Sequence, residues 1–237
     1  MAIGKRGGGG ISGGQRQPKQ RLHTARQRSA SSQRWLERQL NDPYVAAAKR
    51  QGYRSRAAFK LVEIDAKYRL FKPGKRVVDL GAAPGGWAQV AAGRVKSVEG
   101  QGQVVAIDIL EMEPVAGVEF VQLDFMEAAA PGRLKAMLRG GRADVVLSDM
   151  AAQGTGHART DHIRIMGLAE AAAEFAGEVL ERGGALVCKV LQGGTERALL
   201  DRLKRDFTTV KHVKPPASRA ESAEMYVVAL GFRGPTR

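Results

Sequence analysis

Val77-Val78-Asp79-Leu80-Gly81-Ala82-Ala83-Pro84-Gly85-Gly86-Trp87 decides the fold of this 237-residue chain. Two β-branched residues run into an acid, a glycine-rich turn follows, and an amphipathic segment continues from Trp87 to Val95. Strand, tight loop and helix start in that order open an α/β nucleotide-binding unit. The glycines allow positive φ and let a ligand approach the backbone. Their spacing is not the G-x-G-x-x-G of a dinucleotide site: they fall at 81, 85 and 86. Pro84 also removes an N–H that a pyrophosphate would use, which argues against an NAD-dependent oxidoreductase. Asp79 repels phosphate and suits a cationic ligand with an amino group. S-adenosylmethionine carries both a sulfonium and an α-ammonium.

Outward from this unit the pattern repeats. Val77–Leu80, Gln103–Ile109, Glu119–Leu123, Ala143–Ser148 and Gly184–Val190 read as five strands. Helical periodicity covers Trp87–Val95, Arg133–Leu138, Ile163–Leu180 and Thr195–Arg205. Apolar strands separated by helices predict a largely parallel sheet with helices on both faces. Thr208–Lys214 and Met225–Gly231 have no helix between them and are expected as an antiparallel pair at one side of the sheet. Upstream, short helices are expected over Ser32–Gln39 and Tyr44–Gln51, and a third, capped by Ser55, runs to about Tyr68. Its apolar stripe is Ala57, Leu61, Ile64 and Tyr68; Lys60 lies at the stripe's edge, which suits either a solvated surface lysine or one that faces a cleft.

Four acids, Asp79, Asp108, Asp124 and Asp149, stand where predicted strands meet their loops. Ligands of open α/β sheets bind at those carboxyl ends. An acid after the second strand suits ribose hydroxyls, and Asp124 suits an exocyclic amine. Gly81 joins them from the glycine turn, so the set points to a nucleoside-containing cofactor.

The formal net charge of +14 favours a polyanion, and nucleic acid over a membrane face, because no basic amphipathic helix with a broad apolar side is evident. No apolar run approaches the length of a membrane span, and no signal peptide opens the chain. The single cysteine, Cys188, excludes an internal disulfide and fits a reducing cytoplasm. The four histidines lack metal-ligand spacing with it, so no metal site is expected. Residues 1–33 are acid-free and rich in Gly, Ser and Arg; they are expected to be a disordered basic arm, with an organellar transit peptide as the other reading of that composition. Residues 34–237 then form a single domain.

With these residues in hand, the chain resembles the FtsJ-like RNA ribose 2′-O-methyltransferases. The resemblance rests on Asp79–Trp87, Ser55–Lys60, Ser148-Asp149-Met150, Lys189–Gly193, and Ser218-Arg219-Ala220 through Tyr226, in that family's order. It implies a Rossmann-like class I S-adenosylmethionine-dependent methyltransferase with a mostly parallel seven-stranded sheet and an antiparallel strand near the C-terminus. It implies a catalytic tetrad at Lys60, Asp149, Lys189 and Glu224, with cofactor contacts at Gly85, Trp87, Asp108, Asp124 and Asp149. The segment Arg28–Leu36 resembles the bacterial branch that methylates a uridine ribose in the A-loop of 23S rRNA. The expected partner is therefore that RNA within the large ribosomal subunit, met by a monomer. Ala151-Ala152-Gln153 departs from the family's Ala-Pro-Asn and leaves the substrate-side loop open. Methylation of tRNA or an mRNA cap, and a non-catalytic RNA-binding or assembly factor, are the competing readings.

Transfer to a ribose hydroxyl is an in-line displacement that profits from positioning and a base. Lys189 is the expected base. A free lysine titrates at about 10.4, so burial and the nearby Lys60 are expected to lower it. Arg34, Arg54, Arg56, Lys214 and Arg219 are candidate phosphate contacts, and Trp35, Tyr44 and Tyr53 candidate stacking platforms. Deleting residues 1–30 should leave affinity for S-adenosylmethionine intact and weaken RNA binding, with a shallower dependence on salt. Calorimetry and salt-dependent RNA binding check this, and a large loss of cofactor affinity would make the arm part of the fold.

Overall fold

The computed structural model describes residues 30–152, 154, 156–192 and 197–234. Most of the predicted basic arm, residues 1–29, lies outside them, and α1 (Ala30–Leu40) begins within the arm's last residues. Backbone contacts divide the chain into two units, Met1–Ala46 and Ala47–Arg237. In the first, Asp42 starts α2 (Pro43–Gln51): its Oδ1 accepts the Tyr44 N–H at 3.0 Å. Pro43 takes the first helical position, where an N–H would have no helical acceptor.

The second unit holds a seven-stranded sheet in the order β3-β2-β1-β4-β5-β7-β6. The strands are β1 (Arg76–Leu80), β2 (Gln103–Asp108), β3 (Glu119–Gln122), β4 (Ala143–Ser148), β5 (Leu180–Leu191), β6 (Phe207–Val213) and β7 (Glu224–Phe232). β1 pairs in parallel with β2 and β4, and β4 with β5. The two C-terminal strands pair antiparallel as expected, but β7 inserts between β5 and β6 and is antiparallel to both. β5 starts at Leu180, earlier than its apolar run, because Leu180 already pairs with Ala143 ahead of an irregularity. The strand order reverses between β1 and β4, which opens a crevice at their carboxyl ends.

Alternation along the strands supplies two cores. Val77, Val104, Val145, Leu147, Val187 and Tyr226 face α3 (Ala57–Tyr68) and α4 (Gly86–Val95). Val78, Val105, Val146, Leu186, Cys188 and Val227 face α5 (Ala130–Met137), α6 (Ala158–Val179) and α7 (Arg197–Asp206). Burial on both faces is why these strands read as continuous apolar runs. Cys188 is sealed in the second core, and burial pushes its thiol up to about 12.

The two ends of the sheet differ. At the amino end Arg76 donates from Nε to Asp144 at 3.2 Å, from Nη1 to the Arg139 carbonyl at 3.1 Å, and from Nη2 to Glu181 at 3.4 Å. Gln103 beside it bonds Glu119, the Met137 carbonyl and the Arg139 N–H. At the carboxyl end, loops stitch strand to strand: Gly81 and Ala82 donate to the Ile107 carbonyl, and Asp149 donates to the Leu80 carbonyl at 3.1 Å.

Gly81 is the tightest of these joints. Its φ is +77°, and a Cβ there would stand 2.8 Å from Cα and N of Met150. Only glycine lets the β1 loop lie against the backbone that leaves β4. Gly81→Ala should destabilise the fold by roughly 1–3 kcal/mol. Urea unfolding checks this, and an unchanged midpoint would mean that the two loops separate freely.

Candidate active site

A cavity of about 680 Å³ opens at the switch between β1 and β4. Its size is in the usual range for a small-molecule site, about 300–1,000 Å³. The wall takes Gly81 and Ala83 from the glycine loop, Asp108 from the end of β2, Asp124 from the loop after β3, and Asp149 and Met150 from the loop after β4. Asp108 is oriented on both oxygens: Oδ2 accepts the Ala83 N–H and Oδ1 the Leu110 N–H, each at 2.8 Å. Asp124 Oδ1 accepts the Met126 N–H at 2.9 Å. The Leu110 and Met126 bonds are Asx-type contacts that short acids make in turns, and they orient the Asp108 and Asp124 carboxylates on the wall.

Beside that wall lies a cluster of charges. Lys189 Nζ meets Asp149 Oδ1 and donates to the Asp149 carbonyl, each at 2.9 Å, and stands 3.5 Å from Glu224 Oε1. Lys60 Nζ meets Glu224 Oε2 at 3.0 Å. Between the two pairs stands Tyr226: its hydroxyl donates to Asp149 Oδ1 at 2.6 Å and accepts from Lys60 Nζ at 3.1 Å. The register explains the convergence. Lys189 pairs with Tyr226 across β5 and β7, and Glu224 lies two residues earlier, on the same face. α3 covers that face and lowers Lys60 onto it, so of the two readings of the stripe's edge the structure takes the cleft and not the solvated surface. Lys60 and Lys189 are both buried. All four tetrad residues expected from the sequence therefore meet, and Asp149 belongs to the cluster and the cavity wall alike.

The FtsJ-like methyltransferase family profile matches residues 53–232. The chain belongs to the FtsJ-like methyltransferase family. Ribosomal RNA large subunit methyltransferase E of Xanthobacter autotrophicus is 64% identical over 216 residues, covering 91% of this chain and 85% of that protein. The Parvibaculum lavamentivorans protein of the same name is 62% identical, covering 98% of this chain and 93% of its own. A crystal structure of a Plasmodium falciparum protein assigned as a ribosomal RNA methyltransferase superposes with a TM-score of 0.67 at 32% identity, over 77% of this chain and all of that one.

A methyltransferase of this fold uses S-adenosylmethionine, and the chain's own residues fit such a ligand. Asp79, at the end of β1, has both carboxylate oxygens buried with no hydrogen-bond partner among the described residues. Burial first, then Asp149 and Asp108, push its carboxyl up to about 8. An uncompensated acid within electrostatic reach of two wall carboxylates fits a cationic ligand. The FtsJ-like domain does not, however, put every expected cofactor residue on the wall. Asp79, Gly85 and Trp87 stand outside it. Trp87 donates its indole N–H to the Ala57 carbonyl at 2.8 Å and packs on Tyr226, so it supports α3 and the cluster. Gly85, at φ +105°, begins α4 under Val115 and Met112.

The electrostatics of this methyltransferase correct one expectation. Lys189 was expected to be lowered, and it is raised. Burial acts to lower it, but Asp149 and Glu224 at ion-pair distance outweigh burial, and Lys60 is itself held by Glu224. Glu224 is lowered in turn: burial opposes this, and Lys189 and Lys60 override it. Burial and Asp149 raise Tyr226 well above the ordinary phenol.

Other readings change as well. Ser55 does not cap α3; its hydroxyl lies against Gly86, and Arg56 is the residue before the helix. Several candidate phosphate contacts are committed to backbone carbonyls. Arg56 Nη2 donates to Ala217 at 2.6 Å, Lys214 to Ala220 and Ser222, and Arg54 to the loops beside the cavity. The Tyr53 ring packs edge-on against Phe59 at 5.5 Å. Arg34 and Trp35 lie on α1, where only the backbone is described, and Tyr44 lies on α2 of the first unit. Two site residues went unread in the sequence. Tyr226 was detectable as the same-face neighbour of Glu224 two positions on. Arg164, the cation of the cavity wall, had no signal beyond its place near the start of α6.

Asp79 sets a pH dependence. Its folded value of about 8 lies above the ordinary 3.8, so it is protonated in the fold and ionised in the unfolded chain between those limits. Unfolding then releases a proton, and Asp79's contribution to stability declines as pH rises from about 4 to about 8. Asp79→Asn should remove that decline, so the variant gains on the wild type with rising pH. Urea unfolding across the range measures it, and a difference independent of pH would show that Asp79 is ionised in the fold.

Proposed function

We propose that this RNA methyltransferase transfers the methyl group of S-adenosylmethionine to the 2′-hydroxyl of a uridine in the A-loop of 23S rRNA, acting as a cytoplasmic monomer on the large ribosomal subunit. The observation that carries the reading is Asp149, which faces the cavity with one part of its environment and grips Lys189 and Tyr226 with the other. A nucleophile held by the cluster would thereby stand next to a methyl donor held by the cavity. The names of the bacterial relatives support the rRNA substrate, and the net charge of +14 supports a polyanion. Among the described residues, no helix is long and apolar enough to cross a membrane.

Asp108 and Asp124 would hold the ribose hydroxyls and the adenine amine of the cofactor, and Asp79 would balance its positive charge. When bound, S-adenosylmethionine supplies an electrophilic methyl on a cationic sulfur, a charge that favours a neutral amine nearby. Lys189 Nζ, protonated between Asp149 and Glu224, would first release that proton to solvent, and its neutral amine would then accept the ribose proton. Lys60 keeps Glu224 paired, and the Tyr226 hydroxyl keeps Asp149 oriented while the proton moves. Positioning supplies much of the remaining rate.

Lys189→Ala should lower methyl transfer by about 10²–10⁴-fold while leaving cofactor binding near normal. Lys189→Arg should not restore it, because a guanidinium stays protonated. The single-turnover rate should climb with pH from about 6 to about 10, since the lysine's neutral fraction grows across that range. A flat profile with chemistry limiting would remove Lys189 as the base. Ribose-methylation mapping of total RNA from cells lacking the protein tests the substrate, and an intact A-loop methyl would reject it.

A further inference from the structure

The segment before α3 is anchored to α4. Gln89 Oε1 accepts the Arg54 N–H at 2.8 Å, and Gln89 Nε2 donates to the Gly52 carbonyl at 3.1 Å. From this fixed backbone the Arg54 guanidinium reaches across the top of the sheet. Nη2 donates to the Pro114 carbonyl at 2.5 Å, and Nη1 to the carbonyls of Glu113 and, at 3.4 Å, Pro84. Pro84 belongs to the glycine loop that starts α4. Glu113 and Pro114 belong to the loop after β2, six or fewer residues beyond Asp108. The same loop packs Met112 and Val115 onto Gly85, with Arg54 Cδ in that contact. Met112 and Val115 also join Ala82 and Ala106 in a small apolar cluster behind the cavity wall.

We infer that Arg54 is a positioning residue for the cofactor: it clamps the glycine loop and the post-β2 loop together, and so fixes the wall that carries Gly81, Ala83 and Asp108. The inference rests on the reading of the cavity as an S-adenosylmethionine site. A planar guanidinium spreads its donors over two terminal nitrogens in a rigid fork, so Nη1 and Nη2 span the two loops, a geometry that the single nitrogen of an ammonium does not reproduce. Removing it leaves those carbonyls without their donor and releases one loop from the other. The clamp also accounts for an arginine in a basic segment that is engaged by protein carbonyls and not presented to phosphate.

The experiment compares the wild type with Arg54→Lys and Arg54→Gln, each confirmed as folded by circular dichroism. Both variants should bind S-adenosylmethionine roughly tenfold or more weakly by calorimetry. Their KM for the cofactor should rise in step, with kcat at saturating cofactor near that of the wild type. The salt slope of RNA binding should stay unchanged, because no phosphate contact is lost. Wild-type cofactor affinity in both variants would overturn the clamp. A salt slope reduced by about one with cofactor affinity intact would overturn it too, by making Arg54 a phosphate contact. A wild-type protein that fails to bind S-adenosylmethionine would instead reject the reading of the cavity.

Discussion

Lys189 faces Tyr226 across the only antiparallel neighbour that β5 has, and the charged cluster follows from that pairing. Register carries the effect. Glu224 is two residues before Tyr226 on β7, so it shares the face of Lys189 and cannot be moved by one position without turning to the opposite core. Asp149 arrives from the other side, one residue past the end of β4, where Ser148 pairs with Cys188. Had β7 continued as an outer strand beyond β6, Glu224 and Tyr226 would lie a strand's width away from Lys189. The late return of the chain into the sheet is thus what assembles the site.

Two buried lysines and two partly exposed carboxylates then share a small volume. Each buried cation has an acid at ion-pair distance, and the tyrosine hydroxyl fills the remaining hydrogen bond between them. Such a cluster tolerates burial because no member is left unpaired. Asp79 is the exception, a buried acid without a hydrogen-bond donor among the described residues, and burial beside Asp149 and Asp108 accounts for its high titration point. The site therefore combines a balanced half, where the reacting hydroxyl would be held, with a negative half suited to a cation.

Most of this was legible in residue pattern. β-Branched runs, glycine turns and strand-end acids gave the parallel sheet and the places of Asp108, Asp124 and Asp149. The apolar stripe on α3 left Lys60 between a cleft and open water, and only the family resemblance set it beside the acids. What one-dimensional pattern could not carry was the partner of each side chain. Arg54 and Lys214 look like surface cations in sequence, yet backbone carbonyls claim them, distant ones for Arg54 and those of the following turn for Lys214. Ser55 looks like a cap, yet Gly86 leaves it room to turn away. Lys189 looked like a lysine lowered by burial, but the carboxylates that raise it come from Asp149 and Glu224, 40 and 35 residues away. Trp87 entered as a cofactor contact through the family resemblance alone, and its long-range partners, the Ala57 carbonyl and the Tyr226 ring, had no signal in the pattern.

The network around Arg76 at the sheet's amino end gives the molecule a second, separate place to be altered. Arg76, Asp144, Arg139, Glu181 and Gln103 tie β1, β2, β4 and β5 together there, and none of them lines the cavity. Selection for heat tolerance, or an engineer seeking it, can add or strengthen ion pairs at that pole while the reacting pole keeps its shape. Robustness and chemistry in this protein are free to evolve on independent schedules.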